Sequence, residues 1–423
     1  MSRLDLDSNS SLAEVRAVTA AWAERCIPAR WRDAARAGGH DAIRAVRTYG
    51  AYEEWYPTFA ETGLAVATWP EPYGGLDLTA EQARVADETL APYNLGRLNV
   101  IALGAVAPAL FAYGTDEQCR RFLPPMVRNE EKWTQLLSEP GAGSDLASLS
   151  TRAVRDGDEW ILTGQKVWST WAHRADFANC LARTDPEVGK RQGLTYFVVD
   201  MHAPGVAVRS LRHLAGEVEF NEVFLDGVRV PDGRRVGPEG EGWRVVGATL
   251  SGERMMVSGA GSGGVDRIGG RGIEAVIEEA RTRRLTDNPN VRQRLARMYS
   301  EERIRQWTNE RVRQGAAAGR PLGPVSSVGK IHQAAVNQQL QLLAADVLGM
   351  DAIAWEVAHY PTGADAWFES LPKAVRGMLR SRANTIEGGT SEVNRNVLGE
   401  RILGLPREPD PYRHARWSEI PRT

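Results

Sequence analysis

Cysteine is scarce in this chain of 423 residues. Cys26, Cys119 and Cys180 are odd in number and far apart, so neither a disulfide framework nor a cysteine-based zinc site is suggested. The seven histidines are scattered without His-Glu-x-x-His spacing, which leaves no metalloenzyme pattern. No charge sign predominates: 52 Lys plus Arg stand against 54 Asp plus Glu, a net charge of -2. That is too little field to recruit nucleic acid or an anionic membrane. No apolar run approaches a membrane span, and Arg3, Asp5, Asp7, Glu14 and Arg16 exclude a secretory apolar core at the N-terminus. What remains is an ordinary globular composition, 42% apolar and 25% charged, enough for one large core or two to three smaller ones. A cytoplasmic enzyme fits it best.

Helical spacing opens the chain. Ser11-x-x-Glu14 is a capping box ahead of Leu12, Val15, Val18 and Trp22. The reading stays helical through 41–61 and 80–90, with a Pro- and Gly-rich loop at 69–75 between them. A further apolar helix runs from Ile101 to Tyr113 and stops at Gly114. From about 134 to 236 the period changes to alternation, with a hairpin signal at Asp156-Gly157 and strands at 194–200, 206–208 and 222–231. Helical spacing returns at 243–257, 291–314, 330–348 and 371–386, followed by a short helix after Thr390. The expected fold is mainly α with a central β domain. Its parts are a helical domain at 1–133, a barrel-like β domain at 134–236, a four-helix bundle at 237–405 and a tail at 406–423.

The chain is organised around the loop Ser138-Glu139-Pro140-Gly141-Ala142-Gly143-Ser144-Asp145. Glycines let backbone approach a ligand closely and the serines add hydroxyl donors, which suits an anionic or carbonyl-rich partner. In the strand beyond, Trp168 and Thr170 share one face and would flank a flat, hydrogen-bonding ring. The loop alone reads equally as a surface turn followed by a hairpin with a core tryptophan. Gly259-Ala260-Gly261-Ser262-Gly263-Gly264 matches G-x-G-x-x-G, but a helical pattern precedes it and no strands alternate after it. It reads as a helix of small residues.

Two carboxylates stand out. Glu253 follows Val246 and Leu250 at helical spacing, so it points along an apolar face, where desolvation raises a carboxyl's pKa and suits it to act as a general base. The structural alternative is a glutamate satisfied by a nearby arginine. Glu387 precedes Gly388 and Gly389 at a helix corner, and Thr390 or Ser391 caps the next helix.

Three ordered segments resemble signatures of the acyl-CoA dehydrogenase family, in particular its bacterial FadE-type members. They are Gln135 through Asp145, Gly164-Gln165-Lys166-Val167-Trp168-Ser169-Thr170, and Glu387-Gly388-Gly389-Thr390-Ser391-Glu392-Val393-Asn394-Arg395. The resemblance covers nearly the whole chain. It implies FAD as cofactor, with Gln135, Leu137, Ser138, Gly143, Ser144, Trp168, Thr170, Thr390 and Glu392 around it and Gly349 near an adenine held by the adjoining subunit. It also implies Ser144, Ser251, Arg254 and Gly389 around an acyl-CoA substrate. The reaction would be α,β-dehydrogenation to the trans-2-enoyl-CoA, with an electron acceptor such as an electron-transfer flavoprotein and a homodimeric or homotetrameric assembly.

Two departures from the family pattern bear on the site. Many relatives place the base where this chain has Gly388, whereas others place it on the helix that here carries Glu253 followed by Arg254. Glu253 is therefore the first choice and Glu387 the reserve. The Arg-x-x-Phe-Gly element that relatives use to reach a partner's FAD should fall at 275–290, where the chain reads Arg281-Thr282-Arg283-Arg284-Leu285-Thr286-Asp287-Asn288-Pro289. The missing aromatic leaves open a heteromer with a related subunit. An oxidase reaction and an acyl-carrier substrate are the enzymatic alternatives.

Overall fold

The computed structural model describes residues 3–258, 272–318, 326–353 and 372–421. Two compact units divide the chain: Met1–Thr134 with Arg174–Ala178, and Gln135–His173 with Asn179–Thr423.

The first unit is helical. It contains α1 (Leu12–Cys26), α2 (Ala29–Val46), α3 (Tyr49–Ala60), α4 (Ala80–Leu90), α5 (Ala107–Tyr113) and α6 (Asp116–Arg128). Ser11 starts α1, its Oγ accepting from the Glu14 N–H at 3.1 Å. The single helix expected over 41–61 is two. Thr48 is extended and its Oγ1 accepts from the Ala51 N–H, so α2 ends at Val46 and α3 begins with its own cap. The core is aromatic: Trp22, Trp31, Tyr52, Tyr56 and Phe59 are buried, and Trp31 meets Trp55 edge-on at 5.3 Å.

Next come the strands β1 (Trp133–Leu136), β2 (Arg152–Asp156), β3 (Glu159–Thr170), β4 (Phe177–Arg183), β5 (Leu194–Asp200), β6 (Val206–Leu211), β7 (Phe220–Pro231) and β8 (Arg235–Val236). The sheet runs in the order β6-β7-β3-β2-β4-β5-β8. The Asp156-Gly157 signal holds: Gly157 sits at φ +66°, where glycine is favoured, and Asp156 pairs with Glu159 across the turn. Between β3 and β7 the register slips, because Lys166 faces Val223 while Ser169 faces Asn221. The extra residue on β3 makes a bulge at the tryptophan.

The helical remainder comprises α7 (Gly242–Ser258), α8 (Ile273–Thr282), α9 (Pro289–Ala317), α10 (Ser326–Leu348), α11 (Lys373–Arg380) and α12 (Ser391–Arg401). Ile273 and Val276 of α8, Leu295 and Met298 of α9, Leu343 and Val347 of α10 and Ala374 of α11 share one apolar core. The helix expected over 371–386 is shorter, since Ser381–Thr385 tightens into a 3-10 turn. One face of α10 is polar yet buried, carrying Lys330, Gln333, Asn337 and Gln341 at helical spacing. Buried polar groups need partners, and Asn337 Nδ2 donates to Asn384 Oδ1 at 2.8 Å. The Gly259 to Gly264 stretch lies outside the described residues.

Candidate functional site

The glycine-serine loop is a clasped turn. Glu139 and Ala142 exchange backbone hydrogen bonds at 3.1 and 3.0 Å, and the Ser138 carbonyl accepts from the Val167 N–H at 2.9 Å. That last bond ties the loop to the bulge of β3. Beneath it, the fully buried Lys166 donates to the Leu137 carbonyl, the Leu181 carbonyl and Glu139 Oε1 at 3.0, 2.8 and 2.9 Å. Glu139 also accepts from the N–H groups of Ser150 and Thr151. Burial works to raise the Glu139 carboxyl, but the Lys166 ammonium and the amide donors outweigh it and hold it below the usual glutamate range.

The bulge sets Trp168 at φ +61°, a conformation costly for a bulky side chain, and leaves its indole 59% exposed. Ser169 is buried beside it and Thr170 half-buried. A Cβ added at Gly141 or Gly143 would meet nothing within 4 Å. Gln135 Oε1 is buried with no hydrogen-bond partner. These segments offer a flat apolar surface at Trp168, open space at Gly141 and Gly143 and an unanswered acceptor at Gln135.

A path of contacts leads from the Trp168 indole to the carboxylates of the bundle. The Trp168 ring meets Phe220 edge-on at 5.7 Å, and the Arg380 guanidinium stands 5.4 Å from the Phe220 ring. Arg380 is buried between Glu219, at 2.8 Å, and Glu387, at 2.9 Å. Burial opposes the arginine's charge, yet the two carboxylates raise its pKa above the usual value. Arg380 also donates to Glu387 Oε1 at 3.3 Å, and Asn384 Nδ2 donates to the same oxygen at 2.9 Å. Lys330 Nζ donates to the Asn384 carbonyl at 2.7 Å; burial pushes its pKa down, and the charges of Glu387, Glu253 and Glu392 push it up. Glu253 is half-buried on α7. Both candidate bases thus act on one buried ammonium.

The remaining expected residues are spread more widely. Leu137 is buried and Ser138 half-buried, while Gly143 and Ser144 are exposed. Ser251 is exposed, with its hydroxyl donating to the Gly247 carbonyl at 2.8 Å, and the Arg254 side chain lies outside the described residues. Gly388 and Gly389 both have positive φ, at +63° and +84°, and the Gly389 carbonyl accepts from Asn394 Nδ2. Thr390 caps α12 by accepting from the Val393 N–H, and Glu392 pairs in solvent with Arg395. Gly349 sits at φ +59° just after α10. Beside it Arg283 donates to the Leu348 carbonyl and pairs with Glu279 and Asp351.

Lys166, Phe220 and Arg380 are absent from the expected set. Lys166 was detectable, because Trp160, Leu162 and Lys166 fall on the inward period of β3, and a lysine there demands a buried partner. His213, Glu217 and Glu219 lie close enough to hold a metal ion. Their carboxylates, however, already pair with Arg376 and Arg380.

Comparison with known proteins identifies the family. Models of the N-terminal, middle and C-terminal domains of acyl-CoA dehydrogenase match residues 13–130, 134–228 and 240–403. The chain is 37% identical to the acyl-CoA dehydrogenase IpdE1 of Mycobacterium tuberculosis over 372 residues, 86% of this chain and 91% of that protein. It is 39% identical to the acyl-CoA dehydrogenase FadE34 of the same organism over 82% of this chain, a match that spans only 45% of FadE34. Among solved structures, the Tcur3481-Tcur3483 steroid ACAD superposes with a TM-score of 0.72 at 27% identity, covering 96% of this chain and 100% of that one. The chain belongs to the acyl-CoA dehydrogenase family of FAD-dependent oxidoreductases.

The residues present fit the family's flavin. A tricyclic ring with polar edges suits the exposed indole, the open space over Gly141 and Gly143 and the lone Gln135 acceptor. Among the described residues no helix is long and apolar enough to cross a membrane.

Proposed function

We propose that this chain dehydrogenates the α,β bond of a bulky, steroid-like acyl-CoA thioester, giving the trans-2-enoyl-CoA, with Glu253 as the base. Bound FAD supplies the acceptor for the β-hydride. Gln135, Leu137, Ser138, Gly143, Ser144, Trp168, Thr170, Thr390 and Glu392 would hold the cofactor, and Gly349 would serve the adenine part of an FAD bound by an adjoining subunit. Ser144, Ser251, Arg254 and Gly389 line the thioester. A thioester α-hydrogen does not leave unaided, so a carboxylate takes it while hydrogen-bond donors stabilise the developing enolate oxygen. The observation that favours Glu253 is the state of its rival: both Glu387 oxygens accept from Arg380, and one of them also from Asn384. The electrons leave through a separate acceptor such as an electron-transfer flavoprotein. The cytoplasm is the compartment, in keeping with three free cysteines.

The test is anaerobic titration of the yellow holoprotein with a panel of acyl-CoAs, read as loss of flavin absorbance. Glu253→Gln should retain FAD and reduce it at least about a hundredfold more slowly. Normal reduction in that variant removes Glu253 from the role.

A second reading concerns assembly, as one subunit of a heteromeric dehydrogenase. It is favoured by the missing aromatic in Arg281 to Pro289 and by the engagement of Arg283 within its own chain. A similar solved structure is described as a complex of ChsE4 with ChsE5, at 26% identity and a TM-score of 0.69. Fewer flavins than chains in the purified protein, restored by a related subunit, supports this reading. One flavin per chain in the isolated protein rejects it.

A further inference from the structure

The last described residues return to the sheet. Trp417 is buried, its N–H donates to the Val188 carbonyl at 2.8 Å and its Nε1–H to the Ser148 carbonyl at 3.4 Å. The Ser418 N–H donates to the Pro186 carbonyl at 3.0 Å, and Arg416 pairs with Glu187. The indole covers the Arg183 guanidinium, 4.2 Å from the ring centroid.

Arg183 is 3% exposed and is the hub of the loop that leaves the glycine-serine turn. It donates to the carbonyls of Ala147, Leu149 and Lys190, with distances from 2.7 to 3.2 Å. Lys190 in turn grips Asp145 at 2.8 Å, and Asp145 accepts from the Ser148 hydroxyl at 2.5 Å. The guanidinium thus holds three carbonyls of this loop region in place. The aromatic face stacked on it adds a cation–π attraction and covers it from water.

We propose that the tail around Trp417 is a strap that positions the exit of the glycine-serine turn through Arg183, so that cofactor affinity depends on a residue beyond the matched C-terminal domain at 240–403. Trp417 acts through Arg183 and is a positioning residue. The strap rests on the proposed placement of the flavin over the turn.

The test compares wild type, Trp417→Ala and Trp417→Phe as full chains. Two quantities are read: amide hydrogen exchange of 145–150 and 186–190, and the dissociation constant for FAD added to apoprotein. Trp417→Ala should speed exchange in those segments selectively and weaken FAD binding about tenfold, while Trp417→Phe, which keeps a ring over the cation, should restore most of both. Unchanged exchange and unchanged FAD affinity in Trp417→Ala overturn the strap. So does equal impairment of the two variants, because the ring face would then be irrelevant. If Trp417→Ala does not fold, Trp417→Leu, which buries an apolar side chain but has no ring face, takes its place: faster exchange at 145–150 than in Trp417→Phe supports the strap and equal exchange rejects it. Wild type that binds no FAD refutes the functional reading instead, a result distinct from tight binding in all three proteins.

Discussion

Glu139 and Lys166 stand 27 residues apart in sequence and 2.9 Å apart in space, with 8% and 0% of their side chains exposed. One belongs to the glycine-serine turn and the other to the strand that carries Trp168. Their ion pair fixes the distance between the two motifs.

Removing one partner leaves the other charge buried without compensation, so Lys166→Met should cost about 3–5 kcal/mol of stability in denaturant titration. A pH series adds a sign. The folded-state pKa of Glu139 is depressed below its ordinary 4.5, so the unfolded chain binds the extra proton. The contribution is fully present above that ordinary value and is lost as pH falls through the folded value. The acid-side decline in unfolding midpoint should be shallower in Lys166→Met.

Trp168 holds a left-handed backbone that glycine adopts without penalty. Apoprotein carrying Trp168→Gly should therefore be more stable than Trp168→Ala by about 1 kcal/mol. Both should lose FAD faster than wild type in gel filtration. Equal stability of the two variants would show that the bulge relaxes when the indole is gone.

Glu387 separates structure from catalysis. Glu387→Gln weakens one arm of the clamp on Arg380 while Glu219 stays in place, so the expected loss is about 1–2 kcal/mol in thermal or urea unfolding. Flavin reduction by substrate should persist. A stable variant that no longer bleaches would make Glu387 the base.

The elements themselves were legible because their causes are local. Ser11 and Thr390 cap helices by bonding an amide three residues on, and Asp156-Gly157 turns a hairpin within four residues. The joint at Thr48 was missed because the apolar spacing runs through it, and α8 goes unassigned although Ile273, Val276 and Ala280 carry helical spacing. At the candidate site, the exposed Trp168 and the loop residues were named from motifs. The groups that hold them were not. Arg380 finds Glu219 across 161 residues, and Trp417 finds Ser148 across 269. Such pairs leave no local period; only a charge on an inward strand position, as at Lys166, marks one end of them.

Arg380, wedged between Glu219 ahead of β7 and Glu387 beyond α11, works as a strut with sheet at one end and bundle at the other. Its planar fork is gripped at both ends. The helix corner at Glu387, Arg380, Phe220 and the Trp168 indole form one chain of contacts. A substitution at either end of that chain therefore bears on groups from both the sheet and the bundle.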